Sequence, residues 1–210
     1  MMPVKIKFNK ETIDNYLEEL ADECKTLDDN LKPIKIILVG GASVLLNYNF
    51  RANTGDIDID TSNFENLKSA INNISKKHNI SDKWLNDDYK KSSSYSKKIP
   101  EVSILYKNIS NVLEVRTVNS EYLVAMKLMS DRIYKHDMSD IAGIFFEHSK
   151  NNNKLNKEDI DKAVVELYGD IEKLPSFSKK LLNSLLNTED FNRLYLYIDK
   201  RENEAKRTWQ

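Results

Sequence analysis

LVGGASVLLNYNFRANTGDIDID, residues 38–60, holds the densest chemical information in this chain. It begins at the end of a short β-branched run, Ile34 to Val39, which the pattern predicts to be a buried strand. Gly40 and Gly41 follow directly. Two glycines there let the backbone approach a ligand closely and reach angles closed to other residues. A helix is expected over about 42–49, and the start of a helix offers unsatisfied N–H groups and a positive dipole end, a ready site for an anion. After a polar loop to Gly55, Asp56-Ile-Asp-Ile-Asp60 alternates acid and isoleucine, the period-2 pattern of a half-buried strand. Asp56 and Asp58 are expected on one face, about 7 Å apart by the strand rise, with Ile57 and Ile59 turned into the core. Two carboxylates so spaced can converge on Mg²⁺, which takes few protein ligands and fills its sphere with water and phosphate oxygens. Each piece has a plainer reading: Gly-Gly as a turn, alternating Asp as a solvated face. Against that, like charges two residues apart repel, and Asp is a weak strand former. Together and in this order the pieces point to a phosphate cradle beside metal carboxylates, the arrangement that suits a Mg·nucleoside triphosphate.

Outward from this stretch the chain alternates helix and strand and then turns helical. Ile13, Tyr16, Leu17, Leu20, Ala21, Cys24 and Leu27 recur at three- and four-residue steps, predicting an amphipathic helix over about 10–28 that ends before Lys32-Pro33. Ser62-Asn-Phe-Glu65 has capping-box spacing and is expected to open a helix to about His78. Residues 81–100 are polar and unpatterned, with Lys90-Lys-Ser-Ser-Ser-Tyr-Ser-Lys-Lys98 at their centre, and read as a mobile loop, with an irregular strand within it as the alternative. Two strands, Val102–Tyr106 and Val112–Val118, are expected to form a hairpin around Lys-Asn-Ile-Ser. From Ser120 onward helices are expected at about 120–133, 138–149, 157–169, 176–187 and 189–205. The fold class is α+β, or mixed α/β: a small mixed sheet with flanking helices over 1–118, followed by a helical bundle over 119–210.

Composition narrows the function. The chain has 210 residues with 32 Lys+Arg against 33 Asp+Glu, a formal net charge of −1. That excludes a polycation that coats nucleic acid or anionic lipid, although not a local basic patch. A single cysteine, Cys24, placed on a helix stripe, excludes an internal disulfide framework and a cysteine-cluster zinc site. His78, His136 and His148 are too few for a histidine-rich metal centre, and the last two read as surface residues. The opening MMPVKIKFNKETID lacks the apolar run of a signal peptide, and the apolar stretch Ile36 to Leu46 is short of a membrane span. A cytoplasmic protein without membrane contact is expected.

Gly-Gly followed by Asp-Ile-Asp, with the run Arg51-Ala-Asn-Thr54 just ahead of it, resembles the DNA polymerase β-type nucleotidyltransferase superfamily. More narrowly it is similar to the minimal nucleotidyltransferases of the AbiEii abortive-infection and toxin–antitoxin group. A second segment supports the resemblance: Ser120-Glu-Tyr-Leu-Val-Ala-Met-Lys-Leu-Met-Ser-Asp-Arg132, then Lys135-His-Asp-Met-Ser-Asp-Ile141. The two stretches cover about residues 34–60 and 111–145.

The resemblance implies transfer of a nucleoside monophosphate from an NTP to a tRNA 3′ end or a protein hydroxyl, with release of pyrophosphate. It implies two Mg²⁺ ions held by Asp56 and Asp58, with a third carboxylate on a later strand. Glu114, between Leu113 and Val115, is the first candidate for that carboxylate and Asp60 its rival. Gly40, Gly41 and Ser43 are expected at the phosphates, although Gly-Gly-Ala-Ser departs from the usual Gly-Ser. Lys127 and Arg51 are candidate cations for the triphosphate; a lysine flanked by Ala125, Met126, Leu128 and Met129 can equally snorkel to water. Arg132, Lys135, Asp137 and Asp140 match the second motif, and capping or ion pairing explains them as well. The Lys-Ser-Tyr segment at 90–98 is a candidate guide for RNA, or simply a solvated loop. The implied setting is the toxin half of a pair with a cognate antitoxin. The alternative is a non-catalytic module of the same fold that binds a partner protein.

Overall fold

A computed structural model describes residues 3–130 and 136–208. The chain divides into two compact units. The first runs to Lys90 and resumes from Pro100 to Val118; the second takes Lys91–Ile99 and the described residues from Asn119 onward.

The first unit opens with helix α1 (Lys10–Leu27), started by a reciprocal capping box in which Asn9 Oδ1 accepts the Thr12 N–H at 2.8 Å and Thr12 Oγ1 accepts the Asn9 N–H at 2.7 Å. Its stripe Ile13, Leu17, Leu20, Ala21 and Cys24 is buried, as the period of the pattern requires. Strand β1 (Ile34–Leu38) is buried at every position but Lys35, which marks it as the middle of a sheet. Helix α2 (Gly40–Asn47) starts at the first glycine, two residues earlier than its apolar pattern suggests. Strand β2 (Ile57–Asp60) and helix α3 (Phe64–His78) follow. The α3 N-cap is Asn63, with no side-chain cap bond, so the expected Ser62–Glu65 capping box does not form.

Residues 81–100 are anchored and do not form a plain loop, and the irregular strand allowed for there is present. They hold the two-residue strand β3 (Leu85–Asn86) and two short 3₁₀ turns, and they bury Trp84, Leu85, Tyr89 and Ile99. Trp84 donates its indole N–H to the Ile71 carbonyl at 3.3 Å and packs with Phe8 and Tyr16. Single anchor residues do here what periodic stripes do elsewhere. Strands β4 (Ser103–Ile109) and β5 (Leu113–Val118) complete a five-stranded sheet in the order β3-β2-β1-β5-β4. The pairs β1–β5 and β2–β3 are parallel; β1–β2 and β4–β5 are antiparallel. The hairpin turn is made by Ser110 and Asn111, both at positive φ; Ser110 ends the expected Lys-Asn-Ile-Ser, whose first three residues belong to β4.

The second unit is helical: α4 (Ser120–Ser130), α5 (Asp137–Lys150), α6 (Lys157–Tyr168), α7 (Ser176–Leu186) and α8 (Phe191–Thr208). The α6 stripe Ile160, Ala163, Val164 and Leu167 is buried, and Gly169 closes the helix at φ +86°. The segment 91–99 is tied into this unit by Ser96 Oγ on the Leu167 carbonyl and the Tyr168 hydroxyl on the Ser94 carbonyl, each 2.8 Å. No described helix is long and apolar enough to cross a membrane.

Candidate active site

The site in the first unit is built where β1 hands over to α2. Gly40 sits at φ +57°, a left-handed conformation that side chains strain to adopt, and this sharp turn launches α2 directly off the strand. The Asp58 carboxylate lies against it: a Cβ added at Gly40 would meet Asp58 Oδ2 at 3.6 Å. The Val39 N–H donates to the Asp58 carbonyl at 2.9 Å, which locks β2 level with the glycine turn.

Gly41 serves a different purpose. A Cβ there would fall 2.7 Å from Arg51 Nη2 and 2.9 Å from Thr54 Oγ1, so only glycine admits the guanidinium and hydroxyl this close to the helix start. The loop carrying Arg51 is held from outside the local sequence. Phe8 and Thr54 exchange backbone hydrogen bonds at 2.8 Å in both directions, and Phe8 is fully buried against Tyr16 and Trp84. Arg51 Nε also donates to the Asn53 carbonyl at 3.1 Å, which aims the fork. Thr54 is a participant that residue-by-residue reading passed over; its signal was the Arg-x-x-Thr spacing ahead of the aspartates.

Gly40, Gly41, Arg51 and Asp58 keep partial exposure while Val39, Ala42, Ser43, Ile57 and Ile59 around them are buried. Asp56 lies just before β2 and is exposed. The result is a partly exposed corner where the start of α2 meets the Asp58 carboxylate at Gly40 and the Arg51 guanidinium at Gly41. The corner therefore joins a guanidinium, a carboxylate and the first N–H groups of a helix at two neighbouring glycines.

The remaining sequence candidates lie elsewhere. Ser43 is fully buried and its hydroxyl accepts the Val118 N–H at 3.0 Å, tying α2 to the end of β5. Glu114 is not brought to Asp58. It pairs in register with Lys35, whereas Asp58 is level with Val39, four residues and about 13 Å further along β1 by the strand rise. Its carboxylate sits 3.0 Å from Arg116 Nη1 and 3.6 Å from Lys35 Nζ. Continuing the β1–β5 register, the residue of β5 level with Asp58 is the buried, apolar Val118. Asp60, the rival, is buried; desolvation raises its carboxyl above the ordinary range, opposed by Lys90, whose Nζ stands 3.8 Å away. Among the described residues no group of three or more His, Cys, Asp or Glu is placed to hold a metal ion. In donor chemistry Asp56 and Asp58 suit Mg²⁺, which is commonly held by one or two carboxylates with substrate phosphates completing its sphere. They offer no third carboxylate for a second ion.

Lys127 lies in the second unit with its ammonium buried, 2.6 Å from Asp137 Oδ1 and 2.7 Å from Asp140 Oδ2. Ser130 Oγ donates to the other oxygen of Asp137 at 2.5 Å. The second motif is thus a buried ion cluster at the start of α5. Its members Arg132 and Lys135 lie outside the described residues.

No curated protein and no solved structure matches the chain. Residues 15–174, which include the glycine turn, both aspartates and the buried ion cluster, match a family described as nucleotidyltransferases of unknown function, DUF6036, and the chain belongs to that family.

Proposed function

We propose that the chain is a Mg²⁺-dependent nucleotidyltransferase that moves a nucleoside monophosphate from an NTP to a hydroxyl acceptor and releases pyrophosphate. The observation that carries the reading is the packing of Arg51 and Asp58 against the two glycines that open α2. The free N–H groups of Gly41 and Ala42 and the Arg51 guanidinium bind the β- and γ-phosphates, the guanidinium neutralising their charge. Asp56 and Asp58 hold the metal, which when bound supplies charge neutralisation on the phosphate oxygens. Asp58, locked to Val39 through its backbone, fixes the α-phosphorus for in-line attack. The acceptor hydroxyl gives up its proton to water as its oxygen forms the new O–P bond, the bond to the β-phosphate oxygen breaks, and pyrophosphate leaves. Catalysis is mostly positioning and electrostatics, as in other phosphoryl-type transfers. Ser43 contributes by holding α2 to β5 and not by touching phosphate.

The acceptor class, a tRNA 3′ end or a protein hydroxyl, and a toxin role within a toxin–antitoxin or phage-defence pair follow from the resemblance to the AbiEii group. Induced expression is expected to arrest growth in a way that Asp56→Ala/Asp58→Ala abolishes. A second reading is favoured by the absence, among the described residues, of a third carboxylate placed with Asp56 and Asp58 to hold a metal: a nucleotide-binding module that engages a partner protein, such as an antitoxin, without transfer. Incubation with each α-³²P-labelled NTP and a total RNA fraction separates the two. Label passing to RNA or protein and dependent on Asp58 supports transfer; Mg²⁺-dependent NTP binding with no product supports the module.

A further inference from the structure

In the second unit, Ser120 and His148 form a pair with a defined proton direction. His148 Nδ1 lies 2.9 Å from the Asn153 carbonyl oxygen, and His148 Nε2 lies 2.9 Å from Ser120 Oγ. A carbonyl has no proton to give, so in the neutral ring the hydrogen sits on Nδ1. Nε2 is then left as the acceptor, and the Ser120 hydroxyl donates to it. The ring is held for this role. The Asn151-Asn152-Asn153 turn, with Asn152 at φ +53°, folds back so that the Asn153 N–H also donates to the His148 carbonyl at 3.1 Å. Nucleophile, base and orienting acceptor stand in the order that activates a serine hydroxyl. Ser120 is the first residue of α4, separated from the end of β5 by Asn119 alone, and both it and His148 retain partial exposure.

We propose that Ser120 and His148 are a second reactive centre, a nucleophile–base pair acting on acyl esters. Ser120 Oγ attacks the acyl carbon while its proton passes to His148 Nε2. The bond from that carbon to the alcohol oxygen breaks, and the leaving alcohol takes the proton from Nε2. Water repeats the sequence on the acyl-serine, releasing the carboxylic acid and restoring both side chains. Asn153 acts through its carbonyl as a positioning group. This chemistry does not depend on the nucleotidyl-transfer reading.

A fluorophosphonate probe tests it on the full chain, because such reagents mark activated serines: the Ser120 O–P bond forms, fluoride leaves, and the proton goes to His148. Mass spectrometry is expected to find one adduct on Ser120 in the wild type, unchanged in Asp56→Ala/Asp58→Ala. Labelling should be slowed by about 100-fold in His148→Gln, the scale of a lost general base. Turnover of p-nitrophenyl acetate should fall in parallel. Ser120→Cys gives an independent reading: iodoacetamide should alkylate position 120 far faster with His148 present than with His148→Gln. Cys24, whose thiol burial pushes up to about 11, is the inert internal reference. No adduct on Ser120 of the folded wild type, or equal labelling and alkylation with and without His148, would overturn the proposal and leave the pair as a tie between α4 and α5.

Discussion

Two parts of this molecule each hold a cation and two aspartates, and they differ in how far those charges are buried. In the second unit, Lys127, Asp137 and Asp140 are buried and the Lys127 ammonium lies within 2.7 Å of a carboxylate oxygen of each aspartate, so their charges are spent internally. In the first unit, Arg51, Asp58 and the exposed Asp56 stand at a helix start that two glycines keep open. What separates the two is burial and backbone access, not residue type or spacing, and it is why the corner in the first unit is the one proposed to bind a ligand.

The largest expected effect breaks the buried half of the comparison. Lys127→Ala leaves Asp137 and Asp140 buried without their ammonium and should cost about 3–5 kcal/mol in denaturant unfolding. Arg51→Ala, its counterpart at the open corner, should change stability by no more than about 0.5 kcal/mol while weakening triphosphate binding. Equal stability losses for the two would erase the distinction.

Glu202 sharpens the comparison next. Its carboxylate is buried and accepts the Met138 and Ser139 N–H groups at 3.0 and 3.1 Å, capping the start of α5. Burial first, and then Asp140, push it up to about 7 from an ordinary value of 4.5, against the hydrogen bonds from Ser139 and Met138. A carboxyl raised on folding contributes stability that is complete below about pH 4.5 and lost as pH rises to about 7. Linkage puts the loss on the order of 3 kcal/mol. Unfolding followed from pH 4 to 8 should show this decline in the wild type, and Glu202→Gln should flatten it. An unaltered slope in that variant would assign the dependence to another group.

Gly40→Ala carries a smaller effect, about 1 kcal/mol from the left-handed backbone. Gly41→Ala tests access more than strain. Its methyl group meets Arg51 and Thr54, so triphosphate affinity should fall by more than stability does. A variant that binds nucleotide normally would mean that the guanidinium is not needed at the helix start.

Much of this was legible from local pattern. The stripe of α1, the alternation of β2, the glycine break after β1 and the run of helices after Ser120 each follow from periodicity within one element. Glu114 was misjudged because its distance from Asp58 is set by the register of β1 against β5, a pairing between residues far apart in the chain. Alternation put it on the correct face but says nothing of its level along the sheet. Arg51 could be suspected from its place ahead of the aspartates. Its approach to Gly41, however, depends on the bridge between Phe8 and Thr54. Residues 81–100 looked unstructured because Trp84, Tyr89 and Ile99 anchor them one at a time, without a period to detect. The Lys127 cluster was visible as a motif, while its burial was not, since a lysine among apolar neighbours serves snorkelling and internal pairing equally well.

The open corner is tested most directly by a thermal-shift or calorimetric titration with each of the four NTPs, with and without Mg²⁺, on the wild type, Arg51→Ala and Asp56→Ala/Asp58→Ala. A ligand bound only by the native state raises apparent stability by about 2.7 kcal/mol at a hundred times its Kd, so modest affinity suffices. The account predicts stabilisation by at least one NTP that requires Mg²⁺, weakens in Arg51→Ala and disappears in the double aspartate variant. Stabilisation by no NTP in the folded wild type, or stabilisation that survives loss of both aspartates, would contradict it.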